Sequence, residues 1–438
     1  MTKRIARLSS FALLLFFLCG LLSACYDKRE IDDLAYVVAI GFDEGKTNFL
    51  RVTLQIAKPG AITGSGGGNS GGGGDEKPYT ITTVEAPTLY SALNMVNTYV
   101  SRQINLSTAV ALIFSRSLAE KGVEHLVNAI MRQRDFRPNM YIVVARTTAE
   151  EYINSVKPVL EKNPSKYYHL NFTTYRYTSF SANTQFGRFS SYMGSQDRQP
   201  VAILTNINKN ESTEDLTSAG STYAEKGRAY PLEGDFKAGG IPRLGEDKSE
   251  TMGLAVFDGE KMVGELDGEE TAYYLFVTGE YKTAYWTFPD PQAKDRFVLL
   301  NIRQNRKPQS EVKIVNGKPQ IKIKVLLEAD ILSIQSGINY ERGENTKKLE
   351  AAVTGFLNQG VTRLLTKTAA VYHSDIFGFG AGIRSKFLTW KEFEAFNWKS
   401  RYKESSFESE VVLKIRRPGL IAGSIKAVDS SGEGGPEY

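Results

Sequence analysis

The sequence predicts a multidomain α+β protein in which helices cover mixed and antiparallel β-sheets. Its 438 residues exceed the size of one ordinary domain. Apolar strand-like runs alternate with helical periodicities between residues 30 and 160, which is typical of a mixed α/β unit. A hairpin pattern within 297–332 is followed by a long amphipathic segment from Thr346 to Tyr372, which indicates a second unit with an antiparallel sheet under a helix.

The amino-acid composition argues against several functional classes. The chain is 41% hydrophobic and 24% charged, within the range of globular proteins. The first 24 residues hold three of the 54 basic residues and no acid, which leaves 51 basic against 49 acidic residues and argues against a nucleic-acid binder. The two cysteines, Cys19 and Cys25, lie near the N-terminus, and there are three histidines, so the sequence predicts neither a metal site nor a cofactor.

The N-terminus has the pattern of a secretory leader, and its end resembles the bacterial lipoprotein signal. An apolar run from Phe11 to Leu22 follows a basic start and is too short to span a bilayer. It ends in Leu22-Ser23-Ala24-Cys25. The resemblance implies cleavage between Ala24 and Cys25, a diacylglyceryl group on the Cys25 sulfur and a palmitoyl chain on its amino group, which together give stable anchoring. The alternatives are an ordinary cleaved leader beside an unmodified Cys25, or an uncleaved anchor.

Changes in composition divide the chain into segments. The predicted segments are a signal peptide at 1–24, an N-terminal mixed α/β domain at 25–208, a linker or small intermediate region at 209–250, a C-terminal α+β domain at 251–425 and a disordered tail at 426–438. A glycine-rich loop at 60–77 interrupts the first domain, since eight of the eleven residues from Gly64 to Gly74 are glycine. No Lys-Ser/Thr pair accompanies it, so a flexible connection is favoured over a phosphate-binding loop.

The N-terminal domain begins with a buried strand at Leu34–Phe42, since this run is almost continuously apolar and rich in β-branched residues. Further strands are predicted at 48–57, 79–84, 106–114, 140–145 and 199–206, and helices at 86–102, 117–132 and 147–156. Between Tyr167 and Tyr192, nine aromatic residues are interleaved with polar ones. They indicate either a carbohydrate or partner surface, or aromatic packing on the sheet.

The C-terminal domain begins with strands at 253–258 and 261–266. Asp267 and Glu270 follow, and their spacing favours helix capping over acid-base catalysis. Strands are predicted at 297–303, 311–315 and 320–332, with Asn316-Gly317 as a hairpin turn. Ile321, Ile323, Val325 and Leu327 are predicted to face the core, opposite Lys322 and Lys324, and a final strand is predicted at 408–415.

A set of short motifs in a fixed order resembles the Ger(x)C lipoproteins, the C subunits of bacterial spore germinant receptors. The motifs are Cys25-Tyr-Asp-Lys-Arg-Glu-Ile-Asp-Asp-Leu-Ala35, Val38-Ala-Ile-Gly-Phe-Asp43, Ser115-Arg-Ser-Leu-Ala-Glu-Lys-Gly122, Arg134-Asp135, Gly253-Leu-Ala-Val-Phe257, Leu266-Asp-Gly-Glu-Glu-Thr271, Ser374-Asp-Ile-Phe-Gly-Phe379 and Lys414-Ile-Arg-Arg417. The expanded glycine-rich loop departs from the family pattern, and Tyr26 stands where a tryptophan is expected.

The resemblance implies a lipid-anchored protein on the outer face of the spore inner membrane, with α/β-type domains and no catalytic activity. It also implies two integral-membrane partners, an A subunit and a B subunit similar to amino-acid permeases. Polar residues that could contact them are Asp27, Arg29 and Glu30 after the anchor, and Asp267 and Glu270 at the predicted helix start. The alternative interpretation of these residues is capping and local salt bridges.

Two other functional classes stay open on the sequence alone. A lipid-anchored solute-binding protein of a transporter would also begin with a lipoprotein signal, although the antiparallel pattern at 297–332 does not favour two ligand-closing lobes. A wall-active hydrolase using Asp267 or Glu270 would need more than their acidity, and capping is the simpler interpretation.

Overall fold

A computed structural model describes residues 4–5, 7–13, 30–46, 49–60, 77–213, 221–340 and 343–417. The strands are β1 Leu34–Glu44, β2 Leu50–Ala57, β3 Tyr79–Ala86, β4 Gln103–Asn105, β5 Ala111–Ser115, β6 Tyr141–Ala145, β7 Val201–Ile207, β8 Ser249–Asp258, β9 Lys261–Leu266, β10 Thr283–Pro289, β11 Phe297–Arg303, β12 Gln309–Val315, β13 Lys318–Ile334 and β14 Ser406–Arg417. The helices are α1 Leu89–Val96, α2 Arg116–Lys121, α3 Glu124–Met131, α4 Ala149–Ser155, α5 Pro164–Phe172, α6 Phe186–Met193, α7 Gly268–Thr278, α8 Gly343–Ala370, α9 Gly380–Arg384, α10 Trp390–Phe396 and α11 Trp398–Tyr402. The predicted α+β class with mixed and antiparallel sheets is confirmed.

The first sheet has nine strands in the order β3-β2-β1-β5-β6-β7-β8-β9, with β4 beside β1. Strands β1, β5, β6 and β7 are parallel, and the strands flanking them are antiparallel. The domain boundary predicted at residue 251 falls near the start of β8, although β8 and β9 complete this first sheet. Strand periodicity reports which faces are buried, but it does not identify the neighbouring strand.

Apolar side chains cover both faces of the first sheet. One face packs against α1, α2, α3 and α6, and the other packs against α4 and α5. The central strand β1 is buried from Val37 to Asp43, as its continuous apolar run predicts. A third core joins β8 and β9 to α7, the second sheet and α8, so the two sheets share one apolar interior.

The second sheet has five strands in the order β10-β11-β13-β12, with β14 parallel to β13. Its buried face carries the four predicted residues of β13, each 2% exposed or less, which confirms that prediction: Ile321, Ile323, Val325 and Leu327. On the other face, Lys322 and Lys324 form ion pairs with Glu408 and Glu410 of β14. Asn316 and Gly317 have positive φ angles of 52° and 79°, which confirms the predicted hairpin turn.

Side chains of α8 cover the outer edge of β14. Asn358 Oδ1 accepts from the backbone N–H of Val411 at 3.1 Å, Thr354 Oγ1 from that of Leu413 at 3.3 Å, and Glu350 Oε1 from that of Ile415 at 2.8 Å. The three acceptors recur every four residues, so they lie on one face of the helix. The outward N–H groups from Val411 to Ile415 are thereby bonded to side chains, which blocks pairing of this part of β14 with another strand.

Two predicted helices are shorter or broken. The helix predicted at 117–132 is divided into α2 and α3 at Gly122, whose φ of 129° is not helical and whose position would bring a Cβ within 2.8 Å of Glu260. The helix predicted at 86–102 is helical only over Leu89–Val96, where Thr88 forms a capping box with Ser91. In these two segments, the helical spacing of apolar residues extends beyond the residues that the fold holds in a continuous helix.

The packing interpretation of the aromatic segment is confirmed for four of its nine rings. Tyr168, Phe172, Phe186 and Phe189 are buried against the first sheet, whereas Tyr177 is 61% exposed. The region predicted as a linker also packs against the body. Within its described residues, Leu232, Asp235, Phe236 and Ala238 are buried.

Candidate functional site

The N-terminus of α7 carries two of the sequence-predicted site residues. Asp267 is the N-cap, its Oδ1 accepts from the backbone N–H of Glu270 at 2.8 Å, and Glu270 Oε2 accepts from the N–H of Asp267 at 3.2 Å. The predicted capping box is confirmed. Because Asp267 is only 1% exposed, its carboxylate faces the interior and cannot reach a partner in this conformation.

Two buried cations from the intervening segment lie against this helix start. Lys226 Nζ is 2.7 Å from Asp235 Oδ1 and 2.9 Å from Asp267 Oδ2. Arg228 Nη1 lies 2.7 Å from Asp235 Oδ2, and its Nη2 donates to Glu269 Oε2. The side chains of these residues are at most 10% exposed. We call this set the ion cluster, and it comprises Lys226, Arg228, Asp235, Asp267, Glu269, Glu270 and Lys367.

Neutral groups complete the hydrogen bonding of the cluster. Thr222 Oγ1 donates to Asp267 Oδ2 at 2.6 Å, Tyr273 Oη donates to Glu269 Oε1 at 2.8 Å, and the backbone N–H of Leu232 donates to Asp235 Oδ2 at 2.8 Å. The Arg228 guanidinium also stacks on the Phe356 ring of α8, 4.8 Å from its centroid. The cluster therefore fixes the intervening segment to α7 and α8.

Lys367 of α8 binds the exposed side of the cluster. Its Nζ lies 2.7 Å from Glu270 Oε1 and 2.9 Å from Glu270 Oε2. Burial, and then the neighbouring Asp267, raises the pKa of Glu270, while Lys367 opposes that shift. Burial alone would lower the pKa of Lys226, but the three surrounding carboxylates outweigh it, so the pKa of Lys226 lies above its usual value.

The ion cluster has the chemistry of a structural clamp. Each of its four carboxylates contacts at least one of its three cations. Carboxylates held in this way are committed to salt bridges and, for Asp267 and Glu270, also to the helix cap. Among the described residues, no group of three or more His, Cys, Asp or Glu side chains is placed to hold a metal ion.

Sequence patterns identified only part of this cluster. The capping motif gave Asp267 and Glu270, but Lys226, Arg228 and Asp235 lie in the segment predicted as a linker. A polar segment has the same composition whether water or a protein surface solvates it, so its buried charges carried no recognisable signal. Lys226 and Arg228 lie two residues apart at a turn, where the backbone N–H groups of both donate to the carbonyl oxygen of Tyr223.

The other predicted site residues precede β1 in the sequence. Ala24, Cys25, Asp27 and Arg29 lie outside the described residues. Glu30 is described, is exposed and precedes the short turn that leads into β1. Its role as a partner contact stays a prediction. In the part of the chain that the structure covers, no helix combines the length and apolar character needed to cross a bilayer.

Two family models match the chain in succession. The model described as "Spore germination protein N-terminal domain" matches residues 27–207, and the model described as "Spore germination B3/ GerAC like, C-terminal" matches residues 252–419. The residues of the ion cluster that the sequence did not reveal, Lys226, Arg228 and Asp235, lie between these two matches. The cluster therefore connects the intervening segment to the C-terminal match.

Full-length relatives carry the same family name. Spore germination protein KC of Bacillus subtilis (strain 168) is 26% identical over 428 residues, which is 95% of this chain and 97% of that protein. Spore germination protein GerQC of Bacillus cereus is 20% identical over 414 residues, or 94% and 98% of the two chains. The crystal structure of the GerBC protein aligns with 86% of this chain and 96% of its own, at 16% identity and a TM-score of 0.49.

Proposed function

Because this chain belongs to the Ger(x)C family of spore germination proteins, we propose that it is the lipid-anchored C subunit of a spore germinant receptor. In this role it is required for germination triggered by nutrients. The observation that carries the proposal is the succession of N- and C-terminal family matches over 27–207 and 252–419, together with relatives that align over nearly the whole chain. Those relatives are named spore germination proteins rather than components of a transporter.

The proposed anchor is the sulfur of Cys25. Its support is the lipoprotein signal Leu22-Ser23-Ala24-Cys25 and the apolar run before it. A diacylglyceryl group and a palmitoyl chain on one residue bury enough methylene groups for stable attachment to a bilayer. The protein would then lie on the outer face of the spore inner membrane, held by the first residue of its mature chain. Mass analysis of the native protein tests this modification directly.

The proposed mode of action is contact with the A and B membrane subunits, without a chemical reaction. The ion cluster supports this interpretation, since its carboxylates are neutralised by Lys226, Arg228 and Lys367. Candidate contacts remain Asp27, Arg29 and Glu30, which follow the anchor. Glu270 is a weaker candidate, because its carboxylate is bound to Lys367 and 15% exposed.

Deletion of the gene tests the proposed function. Spores of the deletion strain should fail to germinate with at least one nutrient while vegetative growth is unchanged, and the wild-type gene should restore germination. A gene encoding Cys25→Ala should restore it poorly, because the protein would be released or left unprocessed. Normal germination with every nutrient, in a strain that also lacks the paralogous genes, would contradict the proposal. Co-purification from spore membranes, with the partners identified by mass spectrometry, tests the A and B contacts.

A further inference from the structure

One edge of the first sheet gathers segments that are distant in sequence. Strands β1, β5, β6 and β7 run parallel, and Ala39, Ala111 and Tyr141 lie side by side across β1, β5 and β6. These four strands therefore begin at the same edge, which we call the amino edge. The chain enters β1 there from Glu30, the loop 131–137 enters β6 there, and Asp197 lies four residues before β7 begins at Val201.

An exposed apolar tip is held at the amino edge. Arg384 Nη1 forms an ion pair with Asp197 Oδ2 at 3.0 Å, and the turn beyond it presents Leu388 and Trp390. Leu388 is 94% exposed and Trp390 is 49% exposed. Thr389 between them is the N-cap of α10 and forms a capping box with Glu392, so the two apolar side chains stand on an ordered turn. Their exposure is thus built into the fold.

Basic and acidic side chains flank this tip, and basic side chains predominate in the loop before β6. Lys386 and Lys391 beside the tip are exposed, Lys386 Nζ donates to the Val312 carbonyl oxygen, and the Trp390 indole N–H donates to Glu394. The loop 131–137, which precedes β6, carries three exposed arginines and one aspartate: Arg132, Arg134, Arg137 and Asp135. Apolar and aromatic side chains inside a basic surface are complementary to an anionic bilayer, which offers negative headgroups above an apolar interior. Tryptophan in particular favours the boundary between headgroups and acyl chains.

The position of the predicted anchor agrees with this surface. Glu30 lies only five positions after Cys25 along the chain. Since each residue spans at most about 3.6 Å, a lipid on Cys25 would hold Glu30 within roughly 18 Å of the bilayer surface. The amino edge, from which Glu30 emerges, is then the part of the body nearest to the membrane. A soluble partner would have to enter that narrow space.

We propose that the amino edge is a membrane-docking surface, in which Leu388 and Trp390 enter the headgroup region of an anionic bilayer. Arg132, Arg134 and Arg137 bind the anionic headgroups beside them. This inference rests on the proposed lipid anchor at Cys25, because the anchor determines that the amino edge faces the bilayer. The docking surface adds a second membrane contact to that anchor, so the subunit is held in one orientation instead of rotating freely about the lipid.

Fluorescence of Trp390 tests the docking directly. The chain contains three tryptophans, and Trp286 and Trp398 are only 5% and 1% exposed. The mature chain, with a hexahistidine segment in place of Cys25, would be tethered to vesicles of phosphatidylcholine, phosphatidylglycerol and a nickel-chelating lipid. With acyl chains brominated, we expect quenching that Trp390→Phe abolishes. Tethered protein whose fluorescence is not quenched would overturn the proposal.

Flotation of the untethered Cys25→Ala protein with the same vesicles tests the charges and the apolar tip separately. Loss of both Arg132 and Arg134 to alanine should weaken binding on the order of tenfold. The matched control is Lys347→Ala with Lys348→Ala, because these exposed lysines lie at the start of α8, about 35 Å along the helix from its amino-edge end. Equal weakening by both pairs would contradict a specific surface.

Leu388→Ser with Trp390→Ser should weaken binding at least about tenfold. Tyr285→Ser, which removes a side chain that is 64% exposed on β10, should leave vesicle binding unchanged.

The outcome of the fluorescence experiment is independent of the natural anchor, since the nickel tether replaces it. Quenching together with an unmodified Cys25 in the native protein would keep the docking surface and remove the lipid anchor. A modified Cys25 without quenching would keep the lipid anchor and remove the docking surface. Protection of Trp390 only when the membrane subunits are present would assign the edge to a protein partner and overturn the lipid proposal.

Discussion

Lys226 Nζ lies 2.7 Å from Asp235 Oδ1, and the two side chains are 9% and 0% exposed. Lys226 also contacts Asp267 and Glu269, so one ammonium group neutralises three carboxylates from two segments. In a buried cluster of this kind, removal of one partner costs more than the pair itself contributes, because the remaining charges stay desolvated. The intervening segment therefore contributes to the stability of the fold through these buried ion pairs.

Lys226→Met should lower the free energy of unfolding by about 3–5 kcal/mol, since three buried carboxylates would retain only Arg228 as a nearby cation. Urea denaturation followed by circular dichroism measures the change. Lys313→Met is the control, because Lys313 lies on the outer face of the second sheet with its side chain 60% exposed. A loss below about 1 kcal/mol for Lys226→Met would mean that water or a shift of the chain compensates the cluster.

Asn358→Ala should expose the edge of β14. The side chain accepts from the backbone N–H of Val411 at 3.1 Å and from the hydroxyl of Ser409 at 2.9 Å. The Ser409 hydroxyl can still bond to Thr362 Oγ1, but leaving the Val411 N–H unpaired should cost about 1–3 kcal/mol and speed hydrogen exchange at that amide. Gln359→Ala, on the exposed side of the same helix, should leave that amide protected. Unchanged exchange at Val411 in Asn358→Ala would contradict the edge-sealing role.

Two glycines of α8 should respond to alanine with opposite signs. A Cβ at Gly360 would lie 2.2 Å from the ring of Tyr273, whereas a Cβ at Gly355 would meet nothing within 4 Å. Tyr273 is 1% exposed and donates to Glu269, so it cannot move aside without disturbing the ion cluster. Gly360→Ala should destabilise by about 1–3 kcal/mol. Gly355→Ala should stabilise by up to about 1 kcal/mol through helix propensity. Equal effects in urea denaturation would contradict this packing.

Stability should fall as the pH rises above 10, partly because of Tyr152. Burial raises the pKa of Tyr152 from 10.0 to about 12. Between these values the unfolded chain loses the phenol proton while the native chain keeps it, so protons favour the native state and alkali opposes it. Tyr152→Phe should reduce the slope of stability against pH by up to about 1.4 kcal/mol per pH unit in this window. Tyr177→Phe, at a ring 61% exposed, is the control. An unchanged slope in Tyr152→Phe would contradict the burial argument.

The elements with strong local signals could be predicted from the sequence, and the long-range pairings could not. The Asn316-Gly317 turn, the Asp267 cap and the apolar face of α8 follow from neighbouring residues, and the structure confirms them. Arg228 and Glu269 are 41 positions apart, and no periodic pattern relates them. The same limit applies to β8, whose apolar run predicts a strand but is compatible with either sheet.

The predicted lipid anchor and the amino edge also differ in how far the sequence alone reveals them. The pattern that resembles a lipoprotein signal is contiguous in the sequence, whereas the amino edge combines Asp197, Arg384 and the loop before β6 only after folding. The exposed pair Leu388 and Trp390 appears in the sequence as ordinary apolar positions beside helix-forming residues. Its exposure depends on the direction in which α10 leaves the turn, which is a tertiary property.

Among the strands that the structure describes, β14 is the last in the sequence, yet it lies beside β13 in register with residues Gln320–Asp330. The second sheet can therefore close only after the chain has been made as far as β14, and α8 contacts this strand at the same stage. For a polypeptide exported as proposed, this order of assembly keeps the C-terminal half open during passage through the translocation channel. Completion of the fold then coincides with release on the far side.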